Sequence, residues 1–141
     1  MDSNVYAELV IASARVLRRL TREALPGESA ADLDALNLLE SNPGITISHF
    51  AELFGVSKPA ASKHLVKLEG RGYVNKQRTD RDRRNTRVYI TDEGSAYLKS
   101  ERMAAADYLR DSFDSLSKED LAAFKRTVEI LQEKLKEPTL G

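Results

Sequence analysis

At 141 residues, the chain has the length of one domain, and its 41% apolar and 31% charged residues are ordinary for a globular protein. It contains no cysteine, which excludes disulfides, thiol-based switches and cysteine-ligated zinc. The formal net charge is zero, but residues 57–87 contain ten Lys and Arg against three Asp and Glu, a local charge of +7 that favours a polyanionic partner.

The sequence has no feature of a membrane or exported protein. Charged residues interrupt each apolar run before it reaches about 18 residues, so no transmembrane helix is predicted. Asp2 and Glu8 stand where a signal peptide needs a basic flank and an apolar stretch, so a cytoplasmic location is expected. His49 and His64 lack carboxylates at metal-ligand spacing, and we expect ordinary surface or helix-end histidines, no metal site and no cofactor.

Two helices are predicted before residue 43. The first is amphipathic, with apolar side chains at helical spacing: Val5, Leu9, Val16 and Leu20. Leu25-Pro26-Gly27 ends it. Ser29 is a candidate N-cap of the second helix, and Asp32, three residues later, completes a start that resembles a capping box. This helix turns Leu33, Leu36 and Leu39 inward and ends at Asn42-Pro43-Gly44.

A helix-turn-helix is predicted next. Thr46 is the N-cap of a short third helix with Phe50 on its apolar face, and Gly55 stops this helix in the left-handed conformation. Ser57 caps the fourth helix, in which Pro59 occupies the first turn. The fourth helix ends at Gly72 and buries Ala61, Leu65 and Leu68. Two helices joined by about four residues that include a glycine are typical of this motif.

The hydrophobic period then changes from helical to alternating, which predicts a β-ribbon. Tyr73–Arg78 and Arg87–Ile90 are its strands, and the polar segment 79–86 is its tip. A ribbon with a basic tip directly after a helix-turn-helix is interpreted as a wing.

Two long helices are predicted after the wing. Thr91 caps the fifth, and Ser117 caps the sixth. The sixth carries an apolar seam with spacings of three and four residues, formed by Leu121, Phe124, Val128, Leu131 and Leu135. This seam packs either on its own chain or on a helix of another copy. The second alternative is favoured, because the rest of the chain is too small to cover both the seam and the winged-helix core.

Two stretches resemble the MarR family (multiple antibiotic resistance regulators): Ile45–Lys58 and Asp82–Gly94. The helix-turn-helix half is general among winged-helix proteins. The Asp-x-Arg at Asp82 and Arg84, followed at the family's spacing by Ile90-Thr91 and Gly94, is more specific. The resemblance extends over essentially the whole chain.

The resemblance implies a mainly α fold with a two- to three-stranded β wing. A winged helix-turn-helix at residues 29–91 is flanked by dimerisation helices at 1–28 and 92–141 in one compact unit. It further implies a homodimer in which the first, fifth and sixth helices interlock, with Leu9, Val16 and the seam of the sixth helix in the interface. Such a dimer binds a pseudo-palindromic operator in double-stranded DNA as a transcriptional regulator, by default a repressor, and is released by a small phenolic or other aromatic effector.

The predicted DNA contacts of the fourth helix are the side chains that face away from its buried side. A recognition helix enters the major groove with its N-terminus, so early residues reach bases and later basic residues reach phosphates. Lys63 donates to guanine, Ser62 to several bases, and Pro59 touches a thymine methyl. The full set is Ser57, Lys58, Pro59, Ser62, Lys63 and Lys67, with Ser57 mainly an N-cap.

The wing supplies the other predicted contacts. By resemblance, Arg84 enters the minor groove, where a narrow A·T-rich segment attracts a guanidinium. Arg83 contacts phosphate or shares that role. Asp82 is predicted to pair with an arginine and to hold the shape of the wing.

Two other functions compete with this interpretation. Asp80 and Asp82 are compatible with a metal-dependent nuclease, but no third carboxylate or histidine lies near them in the sequence, so no enzymatic activity is predicted. The second competitor is a winged-helix protein-interaction module without sequence-specific DNA binding. Such a module would typically carry apolar or mixed residues on the helix face and wing. The concentration of positive charge there favours DNA.

Overall fold

The computed structural model describes residues 2–78 and 86–137. Over these residues the chain forms six helices and three strands: α1 Ser3–Ala24, α2 Ser29–Ser41, β1 Ile45–Thr46, α3 Ile47–Phe54, α4 Lys58–Gly70, β2 Val74–Arg78, β3 Thr86–Ile90, α5 Asp92–Asp114 and α6 Lys118–Leu135. The predicted mainly α fold with a small β wing is confirmed. No helix in the described ranges is both long and apolar enough to cross a membrane.

Four helices begin at the side-chain caps that the sequence predicts. Thr46, Ser57, Thr91 and Ser117 each accept a hydrogen bond from the backbone N–H three residues further on, at 3.0–3.3 Å. These bonds satisfy backbone donors that a helix leaves free in its first turn. Gly55 ends α3 with a φ of +77°, the left-handed conformation that glycine adopts without steric cost.

The predicted start of α2 is wrong in its details. Ser29 is the first helical residue rather than the cap, and the N-cap residue Glu28 makes no side-chain hydrogen bond to the helix. Asp32 has no part in a capping box, because its side chain is buried and faces His64 of α4 and Arg71, the C-cap of that helix. That tertiary contact takes the place of the local one.

The sheet has three antiparallel strands in the order β1-β3-β2. The ribbon of β2 and β3 matches the predicted one, with Val74 opposite Ile90 at its base. The additional strand β1 has only two residues, and its Ile45 lies opposite Val88. It attaches the start of the helix-turn-helix to the wing, so the two predicted DNA-reading elements are joined through one sheet.

The hydrophobic core lies in the winged lobe, by which we mean α2 to β3, and is closed by the start of α5. Its largest fully buried apolar side chains are Leu36, Leu39, Phe50, Leu65, Leu68, Val88 and Leu98. The arms, by which we mean α1 and α6, have no buried residue over their described lengths. The chain thus has one core of its own and two helices that do not contribute to it.

A close approach at Gly94 joins α5 to the lobe. A Cβ atom on this residue would lie 2.2 Å from the carbonyl oxygen of Tyr73 and 2.8 Å from Cγ1 of Ile90. Beside it, the Thr91 hydroxyl donates to the carbonyl oxygen of Gly72 at 2.6 Å. The first turn of α5 is therefore held directly against the start of the wing.

Candidate nucleic-acid interface

Helix α4 presents a polar and basic face to solvent. Its opposite side is fixed on the core by Ala61, Leu65 and Leu68, which are completely buried. Most of the predicted DNA contacts are therefore brought together on one accessible surface: Ser57, Lys58, Pro59 and Lys63 are exposed and Ser62 is half-buried. Helical periodicity accounts for this arrangement, because residues three and four apart share a face.

Lys67 differs from the other predicted contacts. Its side chain lies toward α2, where the ammonium group contacts the carboxylate of Glu28. Both groups are partly exposed, so the pair is screened by water and contributes little to stability. A phosphate that binds Lys67 must compete with Glu28 for the same charge.

A buried carboxylate connects α2 to α4. Asp32, with its side chain 2% exposed, has Oδ2 at 3.0 Å from Nη1 of Arg71 and Oδ1 at 3.1 Å from Nε2 of His64. The contact with His64 lacks good hydrogen-bond geometry, so Arg71 is the stronger partner. A buried carboxylate without partners is costly, and these contacts therefore favour one orientation of α4 on α2.

The prediction for the histidines is half right. His49 is exposed in the first turn of α3. His64 is neither a surface nor a helix-end residue, since it lies in the middle of α4, packs against Phe54 with ring centroids 5.3 Å apart and faces Asp32. One sequence signal was available: Asp32 lies on the same helical face as the apolar Leu36 and Leu39. Within the described ranges, no group of three or more His, Cys, Asp and Glu residues is arranged to hold a metal ion.

In the basic block of residues 57–87, some cationic side chains are paired within the chain and others are free. Lys76 pairs with Glu69 at 3.8 Å, and Arg87 donates to the carbonyl oxygen of Gly44 at 2.7 Å. Among the residues that the structure describes, the block's exposed cations with neither an ion pair nor a hydrogen bond to a backbone carbonyl are Lys58, Lys63 and Arg78. Two of them lie on the outer face of α4, and Arg78 lies at the end of β2 nearest the wing tip.

The predicted wing contacts Asp82, Arg83 and Arg84 lie outside the described residues. The strands that lead to them are described, and Arg78 is paired with Thr86 at the last register position before the tip.

The residues predicted to form a dimer interface are accessible on the single chain. Leu9, Val16, Leu121, Phe124, Leu131 and Leu135 are exposed, and Val128 is half-buried. A hydrogen bond of 2.7 Å from Tyr108 to Glu23 connects α5 to α1. This bond lowers the pKa of the Glu23 carboxyl, with a further contribution from Arg19, and raises the pKa of the Tyr108 hydroxyl.

An open cleft of about 530 Å³ lies between the second half of α1 and the start of α2. Its walls are largely apolar and are formed by Ala14, Leu17, Leu25, Gly27 and Ala30, together with the methyl-bearing Thr21. Arg18 and Arg22 add two cationic groups. Two of its lining residues, Gly27 and Ala30, flank Glu28 in the sequence, and Glu28 contacts Lys67 of α4.

A helix-turn-helix with an outward basic helix, joined through a sheet to a β-ribbon, defines the winged-helix class of DNA-binding folds. Residues 28–85 match the MarR family. The regulator TcaR of Staphylococcus aureus (strain Newman), a helix-turn-helix transcriptional regulator, is 30% identical over 105 residues, 73% of this chain and 69% of TcaR. The chain belongs to the MarR family of transcriptional regulators.

Two further proteins are similar to this chain. The uncharacterized helix-turn-helix transcriptional regulator YdgJ of Bacillus subtilis (strain 168) is 29% identical over 98 residues, which cover 70% of this chain but only 60% of YdgJ. The transcriptional repressor CouR, solved bound to a 23-mer DNA duplex, superposes with a TM-score of 0.73 at 25% identity, covering 93% of this chain and 97% of that chain.

Proposed function

We propose that this chain acts as a homodimeric transcriptional repressor that binds a pseudo-palindromic operator in double-stranded DNA and is released by a small anionic aromatic effector. In this proposal residues 29–91 form the DNA-binding region, and residues 1–28 and 92–141 form the dimer. The observation that carries it is the outer face of α4, where Lys58 and Lys63 are exposed and make no ion pair.

The direction of α4, from its N-terminus to its C-terminus, determines how it would bind DNA. The part of a recognition helix that enters the major groove is its N-terminal end. In α4 this end contains the N-cap Ser57 and, in the first two turns, Lys58, Pro59, Ser62 and Lys63. Lys63 would donate to a guanine edge, while the free N–H groups of the first turn and Lys58 would bind phosphates. Lys67, one turn further on, would reach phosphate after leaving Glu28.

The wing would add a second contact in the neighbouring minor groove. We propose that Arg84 inserts there, that Arg83 binds phosphate or shares this role, and that Asp82 positions an arginine. Two features support this: β2 ends with the exposed Arg78, and β1 joins the ribbon to the helix-turn-helix. Movement of α4 and the wing as one body would couple the two contacts.

The arms support the homodimer. A 22-residue helix and an 18-residue helix without a buried side chain leave large apolar surfaces in water, and such surfaces mark interaction sites. A second copy supplies matching helices of the same kind. Two lobes related by two-fold symmetry then account for a palindromic operator.

The cleft between α1 and α2 supports the proposal that a small effector binds this chain. Its apolar walls suit an aromatic ring, and the guanidinium groups of Arg18 and Arg22 suit a carboxylate or phenolate. Because Glu28 lies between the lining residues Gly27 and Ala30 in the sequence and contacts Lys67 of α4, a ligand that displaces the start of α2 would also shift the recognition helix.

DNA binding is tested by selecting an operator from a random duplex library with the purified full chain and measuring affinity at several salt concentrations. Two lobes that together neutralise about six to ten phosphates give a log–log slope of about −5 to −9, whereas a slope shallower than about −2 would contradict the two-lobed interface. Lys63→Ala should weaken operator binding by roughly 1–3 kcal/mol and random-duplex binding far less. Lys99→Ala, which removes an exposed lysine of α5, is the matched control and should change neither affinity.

The effector is tested with hydroxybenzoate and with hydroxybenzamide, its uncharged analogue, by titration calorimetry. The anion should bind and release operator DNA, and the amide should do so at least tenfold less well. Arg18→Gln and Arg22→Gln should remove this preference for the anion, and Arg15→Gln, on the same helix but outside the cleft, should keep it. Equal binding of anion and amide to the unmodified chain would contradict an anionic effector.

A further inference from the structure

An exposed valine lies on the outer face of α4. The side chain of Val66 is 55% exposed, whereas its neighbours Leu65 and Leu68 are completely buried. A β-branched residue loses side-chain freedom in a helix, so an exposed valine stabilises the interior of a helix less than alanine would. Neither the core nor the helix itself therefore accounts for Val66.

The position of Val66 places it beside the predicted base contact. Val66 follows Lys63 by three residues, and such residues lie on the same face of a helix, about 4.5 Å apart along the axis. Successive nucleotides of one DNA strand are about 3.4 Å apart. A helix that directs Lys63 to a base edge therefore brings Val66 to the same or the adjacent base pair.

The chemistry of the major groove identifies what Val66 would contact. The C5-methyl of thymine is the apolar group that distinguishes base pairs in that groove. The two methyl groups of Val66 can pack against it and remove both surfaces from water. A base that presents only hydrogen-bonding groups to Val66 would lose water without gaining a partner, which is unfavourable.

We propose that Val66 is a specificity-determining residue that reads the C5-methyl of a thymine in each half-site, at or next to the base pair contacted by Lys63. This inference rests on the proposed DNA-binding function and adds an apolar contact to the polar ones. It differs from the predicted Pro59 contact because Val66 lies two turns into the helix, beyond Lys63 rather than before it.

The test removes single methyl groups from the DNA. The operator selected by the unmodified chain is synthesised with each symmetric pair of thymines replaced by uracil, which lacks only the C5-methyl. Replacement of one of these pairs should weaken binding of the unmodified chain by about fourfold per half-site. This is the factor expected for one buried methyl-sized group. For Val66→Ala, replacement of that same pair should change the affinity by less than twofold.

Controls separate this contact from other effects. Val10→Ala shortens an exposed valine of α1, outside the winged lobe, and should leave every uracil effect unchanged. Circular dichroism should show full helicity for Val66→Ala, since alanine favours helix. Repeating the selection with Val66→Ala should return operators without the thymine preference at that position.

The outcomes distinguish this inference from the function on which it rests. If the unmodified chain selects no operator, the proposed function fails. If it binds a selected operator but every uracil substitution weakens the unmodified chain and Val66→Ala equally, the function stands and the thymine contact is overturned. A change in the dimer dissociation constant of Val66→Ala, with no change in base preference, would overturn it too by assigning Val66 to a protein interface.

Discussion

The winged lobe and the arms bury their apolar residues in different ways. Phe50 in α3 is completely buried by its own chain, whereas Phe124 in α6 remains 40% exposed. The lobe has a sheet, three helices and a shared core, and the arms are long helices that contact the rest of the chain at few points, such as the Tyr108–Glu23 hydrogen bond. The comparison teaches that one region buries its apolar residues within the chain, whereas the other leaves them exposed on the single chain, as the proposed dimer requires.

Truncation of Phe50 and of Phe124 should give the largest difference between the lobe and the arms in the free energy of unfolding. Phe50→Ala leaves a cavity in the lobe and should lower the free energy of unfolding by about 3–5 kcal/mol at every protein concentration. Phe124→Ala should have a small effect at dilutions where the proposed dimer dissociates and a larger one at high concentration. Chemical denaturation at several concentrations measures both. Equal, concentration-independent losses would mean that α6 packs only on its own chain.

A charge in the seam of α6 tests the proposed dimer directly. Leu131→Asp would place an unpaired carboxylate in a buried interface and should weaken dimerisation at least about 100-fold, or about 2.8 kcal/mol. Operator binding should weaken in parallel. Sedimentation equilibrium measures the dimer, and Arg126→Asp, which places the same group outside the seam, serves as the control. A dimer that survives Leu131→Asp with unchanged DNA affinity would exclude α6 from the interface.

Gly94 in α5 and Gly70 in α4 provide a smaller contrast. Gly94→Ala would force a Cβ to within 2.2 Å of the Tyr73 carbonyl oxygen and should destabilise the chain by about 1–3 kcal/mol. Gly70→Ala, in α4, meets no heavy atom within 4 Å and should be neutral or stabilising, because alanine favours helix. Thermal unfolding compares the two variants. An equal loss of stability in both would show that the close approach at Gly94 does not determine the result.

The smallest expected effect is a change in the pKa of Glu23, which is hydrogen-bonded to Tyr108 between α1 and α5. The hydrogen bond from Tyr108 lowers the folded-state pKa of Glu23 below 4.5, so its contribution to stability is present above that value and is lost as pH falls through the folded pKa. Tyr108→Phe should return the pKa of Glu23 toward 4.5, leaving the contribution from Arg19. NMR titration of the carboxyl carbon measures this shift. Tyr6→Phe, on the solvent side of α1, should leave the Glu23 pKa unchanged, and an equal rise in both variants would contradict the assignment.

Sequence reasoning predicted most of the fold because its signals are local. The caps at Thr46, Ser57, Thr91 and Ser117 join groups only three residues apart, so residue type and spacing are sufficient to place them. The outer face of α4 follows in the same way from helical periodicity. The resemblance allowed for a third strand, but the residues did not place β1, because two residues have no measurable period and their pairing partners in β3 lie more than 40 residues away.

The sequence by itself determined the order of the helices, the ribbon, the basic block and the side of α4 that faces outward. Only the tertiary structure decided which basic residues remain free: Arg71 is paired with Asp32, Arg87 with the Gly44 carbonyl, and Lys63 with no ionic group among the described residues. It also decided that Asp32 supports α4 rather than capping α2. The physical reason is that charge and periodicity are properties of neighbouring residues, whereas the pairing of a charge depends on which distant groups the folded core brings within about 4 Å.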